Sequence, residues 1–339
     1  MPRGCPGGHP RSSEEESMRP LLCLLAALPA LALAQAPAAW KPERPVAFII
    51  GAAPGGANDR VARAIQRGLQ DSKFAETVVP INKPGAGQSI AFSYLASHPG
   101  SPYHLALASS SWLTTVAGGK VKVTHRDVTP IIRVLNEYQV YFVRSDSAIR
   151  SAQDIIDRLK QDPGGVSFGF STAIGNPIHI SIGMLARHAG VDPSKLRTVV
   201  FNTGTTTAAQ VAGGHLDVGV QSPGSAWALA QSGRVRLIGV AGPRRLPGEL
   251  SNVPTLREQG IDVEANVFYT IFAPKGIAPA QAAYWENAIG TVMRTEQLKK
   301  DAQFNRWTVE LIGYRELPAY LDRAVDAYRR TLADLGLQK

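Results

Sequence analysis

Short apolar runs alternate with glycine-containing loops and amphipathic stretches along most of this chain. Val46–Ile50 is a nearly all-apolar run, as in a strand that is buried on both faces, and glycines and a proline then interrupt it. The residues Val61, Ala62, Ile65 and Leu69 that follow fall on one face of a helix. Because this strand–loop–helix order recurs, the pattern predicts an α/β protein whose sheets are rich in parallel strands.

The same pattern predicts most of the remaining elements. Further strands are expected over residues 77–81, 103–108, 138–143, 166–170, 197–201, 218–221, 237–241, 267–273 and 308–311. Further helices are expected over residues 89–96, 151–160, 177–189, 206–212, 223–232, 280–293, 297–304 and 318–335. Asn58 or Asp59 is the expected cap of the first helix, and Asn176 followed by Pro177 is a strong helix start.

Three loops combine two features of an anion site. The first N–H groups of a helix have no partner within the helix, so they attract anions. Ligands of parallel α/β sheets bind outside the carboxyl ends of the strands. Residues 53–59, 171–179 and 202–206 meet both conditions and offer small residues, hydroxyls or amides. Four or five charge-assisted hydrogen bonds suffice for a site of roughly micromolar affinity, so no Arg or Lys needs to contact the ligand.

The N-terminal segment contains the features of a secretory signal peptide in their usual order. Arg19 precedes a roughly 13-residue apolar run, and an A-x-A cleavage signal ends at Ala34. The run is too short to span a membrane. Residues 1–17 are interpreted as a mis-assigned start or a disordered extension. Cleavage removes Cys5 and Cys23, both cysteines of the chain, so neither a disulfide nor a thiol mechanism is expected in the secreted product.

The charge distribution does not indicate a nucleic-acid partner. The net charge is +9, but the basic residues are scattered and no aromatic residues are interleaved with them. A positive net charge that is spread over the chain creates an electrostatic field that attracts small anions and keeps a protein soluble. The chain is therefore expected to bind a small molecule and no nucleic acid.

The enzymatic alternatives have weaker support. The glycines near residue 55 lack G-x-G-x-x-G spacing, and no H-x-x-x-H or H-E-x-x-H pairing occurs, so neither a dinucleotide cofactor nor a metal is expected. Residues 169–173 resemble a nucleophile elbow after a strand, which leaves a secreted hydrolase using Ser171 as the main alternative. The last histidine of the chain is His215, whereas hydrolases of that type place their histidine near the C-terminus.

Two polar residues of these loops each have two possible roles. Asp59 either caps or braces the first helix, or it accepts a hydrogen bond from an amine, amide or hydroxyl of the ligand. His179, in the first turn of its helix, is expected to brace the loop or to line the pocket as a donor rather than to act as a base.

Several short motifs then occur in a familiar order. They are PGGANDRVAR at 54–63, NKPGAG at 82–87, GNPIH at 175–179, GGHLDV at 213–218, VPTLREQG at 253–260 and APKG at 273–276. Together they resemble the Bug (TctC-like) family of periplasmic solute-binding receptors of tripartite tricarboxylate transporters, over about residues 42–337.

This resemblance implies a two-lobed periplasmic-binding fold of type II with the ligand cleft between the lobes. One lobe would comprise residues 40–128 and 242–339, and the other residues 129–241. It implies a monomeric receptor, not an enzyme, that holds a small carboxylate or amino-acid-like solute by loop N–H groups and delivers it to the membrane subunits of a transporter. The candidate ligand-binding residues are Pro54, Gly55, Gly56, Ala57, Asn58, Asp59, Ser109, Ser110, Ser171, Thr172, Asn176, Pro177, His179, Asn202, Gly204, Thr205, Gln221 and Phe268.

The chain departs from the family's pattern in four places. Residues 202–204 are Asn-Thr-Gly where Tyr-Lys-Gly is common, and Ser101-Pro102 stands where an Asp-Gly pair is usual. A second glycine is usual at the position of Gln88, and an acidic residue is usual near Gln221. By this mapping Asn202 and Gln221 line the cleft. Because an uncharged Gln221 removes a repulsion, we expect a more anionic ligand or one without an amino group.

Overall fold

The computed structural model describes residues 40–119 and 121–337. The predicted signal peptide and the extension before it lie outside the described residues. Within the described ranges, every helix is too short or too polar to cross a membrane.

The described residues form eleven strands and ten α-helices, besides short 3-10 turns. In chain order the strands are β1 (Val46–Ile50), β2 (Val78–Asn82), β3 (His104–Ser109), β4 (Val128–Tyr138), β5 (Val140–Arg144), β6 (Ser167–Ser171), β7 (Arg197–Phe201), β8 (Val218–Gln221), β9 (Val235–Val240), β10 (Asn266–Pro274) and β11 (Thr308–Gly313). The helices are α1 (Ala57–Asp71), α2 (Ser89–Ala96), α3 (Ser110–Ala117), α4 (Ala152–Gln161), α5 (Pro177–His188), α6 (Gly204–Ala212), α7 (Pro223–Gln231), α8 (Pro279–Val292), α9 (Glu296–Asn305) and α10 (Leu317–Asp334).

The strands are divided between two sheets. The first has the order β11-β4-β10-β3-β1-β2 and the second the order β7-β6-β8-β5-β9. Within them β1, β2 and β3 pair in parallel, as do β6, β7 and β8. The remaining pairings, which involve β4, β5 and β10, are antiparallel. The expectation of parallel-rich sheets is therefore wrong for three of the five strand pairings in the first sheet and two of the four in the second. Strands that enter from the other sheet are not linked by a β-α-β crossover, so nothing forces them to be parallel.

Two stretches of chain connect the sheets side by side. Gln139 alone separates β4 in the first sheet from β5 in the second, and the chain returns after β9 through Ala241 and Ala265. Ala241 N–H donates to the carbonyl of Gln139 at 2.8 Å, and Ala265 N–H donates to the carbonyl of Ala241 at 2.9 Å. Since β4 pairs in the first sheet, residues 129–138, which the resemblance assigns to the second lobe, lie with the first sheet.

The core explains why β1 is an almost continuous apolar run. Phe48, Ile49 and Ile50 are completely buried. Phe48 and Ile50 belong to the cluster that includes the apolar face of α1, whereas Ile49 packs on the opposite side with Phe92 and Trp112. The prediction of a strand covered on both faces is confirmed.

Two elements were not predicted from the sequence. The strand β4 carries Arg133, Asn136 and Glu137, which interrupt the apolar pattern although each is at most 3% exposed. The helix α3 begins with two serines and contains two threonines, and such residues favour turns and caps over helix interiors. Both omissions concern buried polar residues that only the tertiary structure explains.

Candidate functional site

Loops of both sheets meet at one cavity beside the two connecting stretches. Its volume is about 40 Å³. A water molecule requires roughly 10–15 Å³ of such volume, so the cavity has room for a few groups of that size. An organic acid of several carbons therefore requires the surrounding walls to separate before it can enter.

The cavity has two chemically different sides. What we call the loop wall consists of small and hydroxyl or amide residues at the ends of strands and the starts of helices: Gly56, Ala57, Asn58, Ser109, Ser171, Thr172, Asn202, Thr203, Gly204, Gln221 and Ser225. What we call the strand wall comes from the ends of β4 and β10 and the connecting residue: Glu137, Gln139, Val267 and Tyr269.

The loop wall begins with the N-terminus of α1. The helix starts at Ala57 with Gly56 as its cap residue, and no side chain caps it. The expectation that Asn58 or Asp59 is the cap is therefore wrong. Because no side chain is bonded there as a cap, the N–H groups of the first turn can serve an anion.

Asp59 stabilises the loop before α1 without lining the cavity. Its Oδ2 accepts hydrogen bonds from Gly55 N–H and Arg63 Nε, both at 2.9 Å, and its Oδ1 accepts from Asn82 Nδ2 at 2.9 Å. Burial alone would raise the pKa of Asp59, but the bonds from Arg63, Asn82 and Gly55 outweigh it and keep the pKa below its usual value. Asp59 is not among the residues that line the cavity.

A buried amide network fixes the next part of the loop wall. The Oε1 atom of Gln88 accepts from Asn58 Nδ2 at 3.0 Å and from Ser109 N–H at 3.1 Å, and its Nε2 donates to Ser109 Oγ at 2.8 Å. Gln88 has a φ of +76°, in the left-handed region that favours glycine. The family's usual glycine at this position fits that backbone, and here the side-chain bonds of Gln88 hold it instead.

The second sheet contributes the loop after β6. Asn176 caps α5 by accepting from His179 N–H at 2.9 Å, as predicted. Its Nδ2 donates to the carbonyl of Ser171 at 2.6 Å and to Thr172 Oγ1 at 2.7 Å. Asn176 thus positions two residues of the loop wall without lining the cavity itself.

His179 stabilises the same loop as a hydrogen-bond acceptor, whereas it was expected to be a donor. Its Nδ1 accepts from Gly175 N–H at 3.0 Å, and its ring stacks on Phe170 with 4.8 Å between the ring centroids. Burial lowers the pKa of His179 to about 4, so the ring is neutral at physiological pH.

Gln221 closes the loop wall at the end of β8. Its Oε1 accepts from Ser171 Oγ at 3.0 Å, and its Nε2 donates to Thr207 Oγ1 at 3.1 Å. Gly204, the first residue of α6, lies so close that a Cβ there would come within 2.6 Å of Ser225 Oγ and 2.8 Å of Gln221 Oε1. A side chain at this position would therefore have to displace Ser225 and Gln221, two residues that line the cavity.

Sequence reasoning missed the strand wall. Glu137 is 1% exposed, and its carboxylate accepts hydrogen bonds from the hydroxyl of Tyr269 and from Trp307 Nε1, the latter at 2.8 Å. Gln139 is completely buried. Its Nε2 donates to the carbonyl of Glu137 at 3.1 Å, and its Oε1 has no hydrogen-bond partner. The only signal in the sequence was that Glu137 and Gln139 are polar residues within a largely apolar stretch.

The structure brings half of the predicted site residues together. Those that line the cavity are Gly56, Ala57, Asn58, Ser109, Ser171, Thr172, Asn202, Gly204 and Gln221. Those that are absent from its lining are Pro54, Gly55, Asp59, Ser110, Asn176, Pro177, His179, Thr205 and Phe268. Phe268 is buried and packs edge-on against Tyr320, and its N–H donates to Ser110 Oγ at 3.3 Å. Phe268 and Ser110 therefore stabilise the packing around the first sheet.

The geometry around Ser171 does not resemble a nucleophile with its base. The hydroxyl of Ser171 donates to the Gln221 amide oxygen, and no histidine among the described residues is hydrogen-bonded to it. Nor do the described residues contain a group of three or more His, Cys, Asp or Glu side chains that could hold a metal ion.

Two sheets, joined by two adjacent stretches of chain and enclosing a cavity lined from both sides, define a two-lobed periplasmic-binding fold of type II. The family model described as tripartite tricarboxylate transporter family receptor, TctC, matches residues 61–310. The chain belongs to this family, and the resemblance inferred from its motifs is confirmed. Receptors of this family are periplasmic solute-binding proteins.

Individual relatives agree with this assignment. The chain is 30% identical over 240 residues to a UPF0065 protein in the tcbD-tcbE intergenic region of Pseudomonas sp. (strain P51), covering 69% of each chain. Among solved structures, a Rhodopseudomonas palustris protein with adipate has a TM-score of 0.78 at 19% identity, covering 87% of this chain and 98% of that one. MatC of the same organism, with bound malate, has a TM-score of 0.75 at 18% identity, covering 86% and 99%. At these identities the two structures support the fold.

Proposed function

We propose that this protein is an extracytoplasmic receptor that binds a small carboxylate-bearing metabolite between its two lobes and delivers it to the membrane subunits of a tripartite transporter. The observation that carries the proposal is the convergence of three loops, predicted separately as anion sites, on one cavity. Residues near 56, 171 and 204 are far apart in the sequence, and they come from both sheets.

The lining indicates how the carboxylate is held. No Lys or Arg is among the cavity-lining residues of the described chain. The negative charge is therefore met by peptide N–H groups at the starts of α1 and α6, together with serine, threonine and asparagine side chains. Malate and adipate in the two neighbouring structures support a carboxylate as the ligand class.

Binding and release require the lobes to move. A cavity of about 40 Å³ does not admit an acid of four or more carbons, and the connecting residues Gln139 and Ala241 are where the lobes can rotate. Two arginines reach from the first sheet's side to α7 of the second. Arg60 Nη2 donates to Ser225 Oγ at 3.4 Å, and the Arg306 guanidinium lies 5.0 Å from the centre of the Trp227 ring. A ligand that contacts both lobes favours this closed arrangement.

The first test is to identify the ligand class. Native mass spectrometry of the protein, purified as a monomer from the periplasm, is expected to detect a co-purified acid. Isothermal titration with succinate, malate, adipate and citrate is expected to give at least one micromolar affinity, whereas 1,4-diaminobutane, a cation of similar length, is expected not to bind. Small-angle scattering is expected to show a smaller radius of gyration with the bound acid.

The rival interpretation as a hydrolase makes a different prediction. Turnover of ester substrates that the Ser171→Ala variant loses would overturn the receptor proposal. Absence of binding to every acid of the panel, in a folded preparation from which no acid co-purifies, would also contradict it.

A further inference from the structure

The strand wall carries a buried acid that has no positive partner at contact distance. Glu137 is 1% exposed and lines the cavity, and its two hydrogen-bond donors, Tyr269 and Trp307, are both uncharged. In the described part of the chain no Lys, Arg or His nitrogen forms an ion pair with it. Burying a carboxylate is unfavourable unless it is paired and hydrogen-bonded.

A second observation points to the same missing group. The amide of Gln139 is completely buried, and its Oε1 accepts no hydrogen bond. Leaving a buried acceptor unsatisfied costs about 1–3 kcal/mol. Gln139 lines the same cavity as Glu137 and is two residues away from it. The strand wall therefore carries a carboxylate and an unbonded amide oxygen, whereas the loop wall carries peptide N–H and hydroxyl donors.

We propose that Glu137 and Gln139 receive the ammonium group of an amino-carboxylate ligand whose carboxylate lies against the loop wall. This inference rests on the proposed function and names its substrate class. An ammonium has three donors and a positive charge, so it can satisfy the Gln139 oxygen and pair with the Glu137 carboxylate together.

The inference opposes the expectation drawn from Gln221. That residue replaces an acid usual in the family, which suggested a ligand without an amino group. In the structure Gln221 is already bonded through both side-chain atoms, to Ser171 and Thr207. The acid that can receive an amino group instead comes from β4, whose residue Glu137 also lines the cavity.

The electrostatics of Glu137 fit a ligand-dependent charge. Burial raises the pKa of Glu137, while the nearby charge of Arg60 and the bonds from Tyr269 and Trp307 lower it less. A ligand ammonium would add the positive charge that keeps the carboxylate ionised. Tyr269, whose own pKa is raised by burial and by Glu137, remains a protonated donor.

The test uses acids that differ only at one carbon. Isothermal titration compares the unsubstituted, hydroxyl and amino members of three lengths: propionate, lactate and alanine; succinate, malate and aspartate; glutarate, 2-hydroxyglutarate and glutamate. At the length that binds best, the amino member is expected to bind at least tenfold more tightly than the unsubstituted one. Glu137→Gln is expected to abolish this preference while changing the affinity for the unsubstituted acid less than threefold.

Two further variants separate charge from folding. Glu296→Gln makes the same change in net charge at an exposed position of α9 and is expected to leave all affinities unchanged. Gln139→Met removes the unsatisfied oxygen without a charge change and is expected to weaken the amino member about fivefold. It provides the measurement if thermal unfolding shows that Glu137→Gln does not fold.

The outcomes distinguish this inference from the proposed function. Preference for an unsubstituted or hydroxyl acid, or an equal loss for all three members in both strand-wall variants, would overturn the inference and leave the carboxylate receptor standing. Failure of every acid to bind the folded wild-type protein would overturn both.

Discussion

The loop wall and the strand wall of the cavity differ in chemistry and in how they are built. The loop wall consists of helix starts and strand ends, offers N–H and hydroxyl groups, and contains no charged side chain among its lining residues. The strand wall offers the Glu137 carboxylate and the unsatisfied oxygen of Gln139. One wall therefore suits an anion, whereas the other suits a positively charged donor.

The difference shows what each wall needs to function. Peptide N–H groups are fixed by the backbone, so the loop wall depends on loop shape: on Gly204, on the Asp59 and Gln88 bonds, and on His179. The strand wall depends on the identity of two side chains. Changes to loop shape should therefore weaken every carboxylate alike, and changes to the strand wall should alter selectivity.

The largest effect is expected from Gly204→Val. The new side chain must displace Gln221 Oε1 and Ser225 Oγ, which lie 2.8 and 2.6 Å from the position of its Cβ, and it fills part of the cavity. Loss of about three hydrogen bonds to the ligand corresponds to about 3 kcal/mol, or roughly 100-fold in affinity. Isothermal titration with the preferred acid and its unsubstituted analogue should show the same loss for both.

Gly164→Val is the matched control for this substitution. Gly164 lies in a turn away from the cavity, and the nearest atom to its Cβ position is Asp162 Oδ1 at 3.6 Å. Its affinity should equal that of the wild type. A Gly204→Val variant with unchanged affinity would mean that the start of α6 does not approach the ligand.

The next effect concerns the pH dependence of stability through His179. Its pKa is about 4 in the folded protein and 6.5 as a free group, so this residue contributes stability above pH 6.5 that is lost as the pH falls towards 4. The shift corresponds to on the order of 3 kcal/mol. Urea unfolding between pH 7 and pH 4 should show a flatter acid dependence for His179→Gln than for the wild type.

His188→Gln is the control because His188 is exposed at the end of the same helix. Its unfolding should follow the wild-type pH dependence. Should His179→Gln do the same, the buried neutral ring would not be the group that titrates, and its bracing of the loop wall would be in doubt.

The sequence predicted the loop wall because its signals are local. Glycine breaks, a capping Asn176 followed by proline, and alternating apolar runs each describe a few adjacent residues, and the structure confirms the corresponding strands and helices. The strand wall was not predictable in this way. Glu137 and Gln139 are buried because β4 pairs with β10, which lies about 130 residues further along the chain. No periodicity within residues 128–139 encodes that pairing.

The same distinction explains the errors about individual residues. Asp59 and His179 were recognised as polar residues beside a ligand loop, but their partners Asn82 and Phe170 are set by tertiary packing. Whether a polar residue faces the cavity or the loop behind it depends on such partners. Local spacing could therefore indicate which loops form the site but not which side chains line it.

A smaller effect is expected from Asp59→Ala. The substitution removes the acceptor of Gly55 N–H and one acceptor each of Arg63 and Asn82, which should lower the free energy of unfolding by about 2 kcal/mol. Because Asp59 lies behind the loop wall, the affinity should fall less than tenfold and equally for amino and unsubstituted acids. Denaturant unfolding and titration measure the two effects.

Asp71→Ala, at the exposed end of the same helix, is the control and should change neither quantity appreciably. A loss of affinity greater than tenfold for the amino acid alone, with stability unchanged, would instead place Asp59 in contact with the ligand's donor group.

The smallest effect separates backbone strain from hydrogen bonding at Gln88. Gln88→Ala and Gln88→Gly both remove the bonds to Asn58 and Ser109, so both should weaken binding by a few-fold through a looser loop wall. Only alanine retains the cost of a side chain at φ +76°, which is about 1 kcal/mol. The glycine variant should therefore unfold at a higher denaturant concentration than the alanine variant while binding the ligand equally well. Equal stability of the two variants would mean that residue 88 relaxes out of the left-handed region once its amide is removed. The side-chain bonds, and not the adjoining chain, would then set the shape of this part of the loop wall.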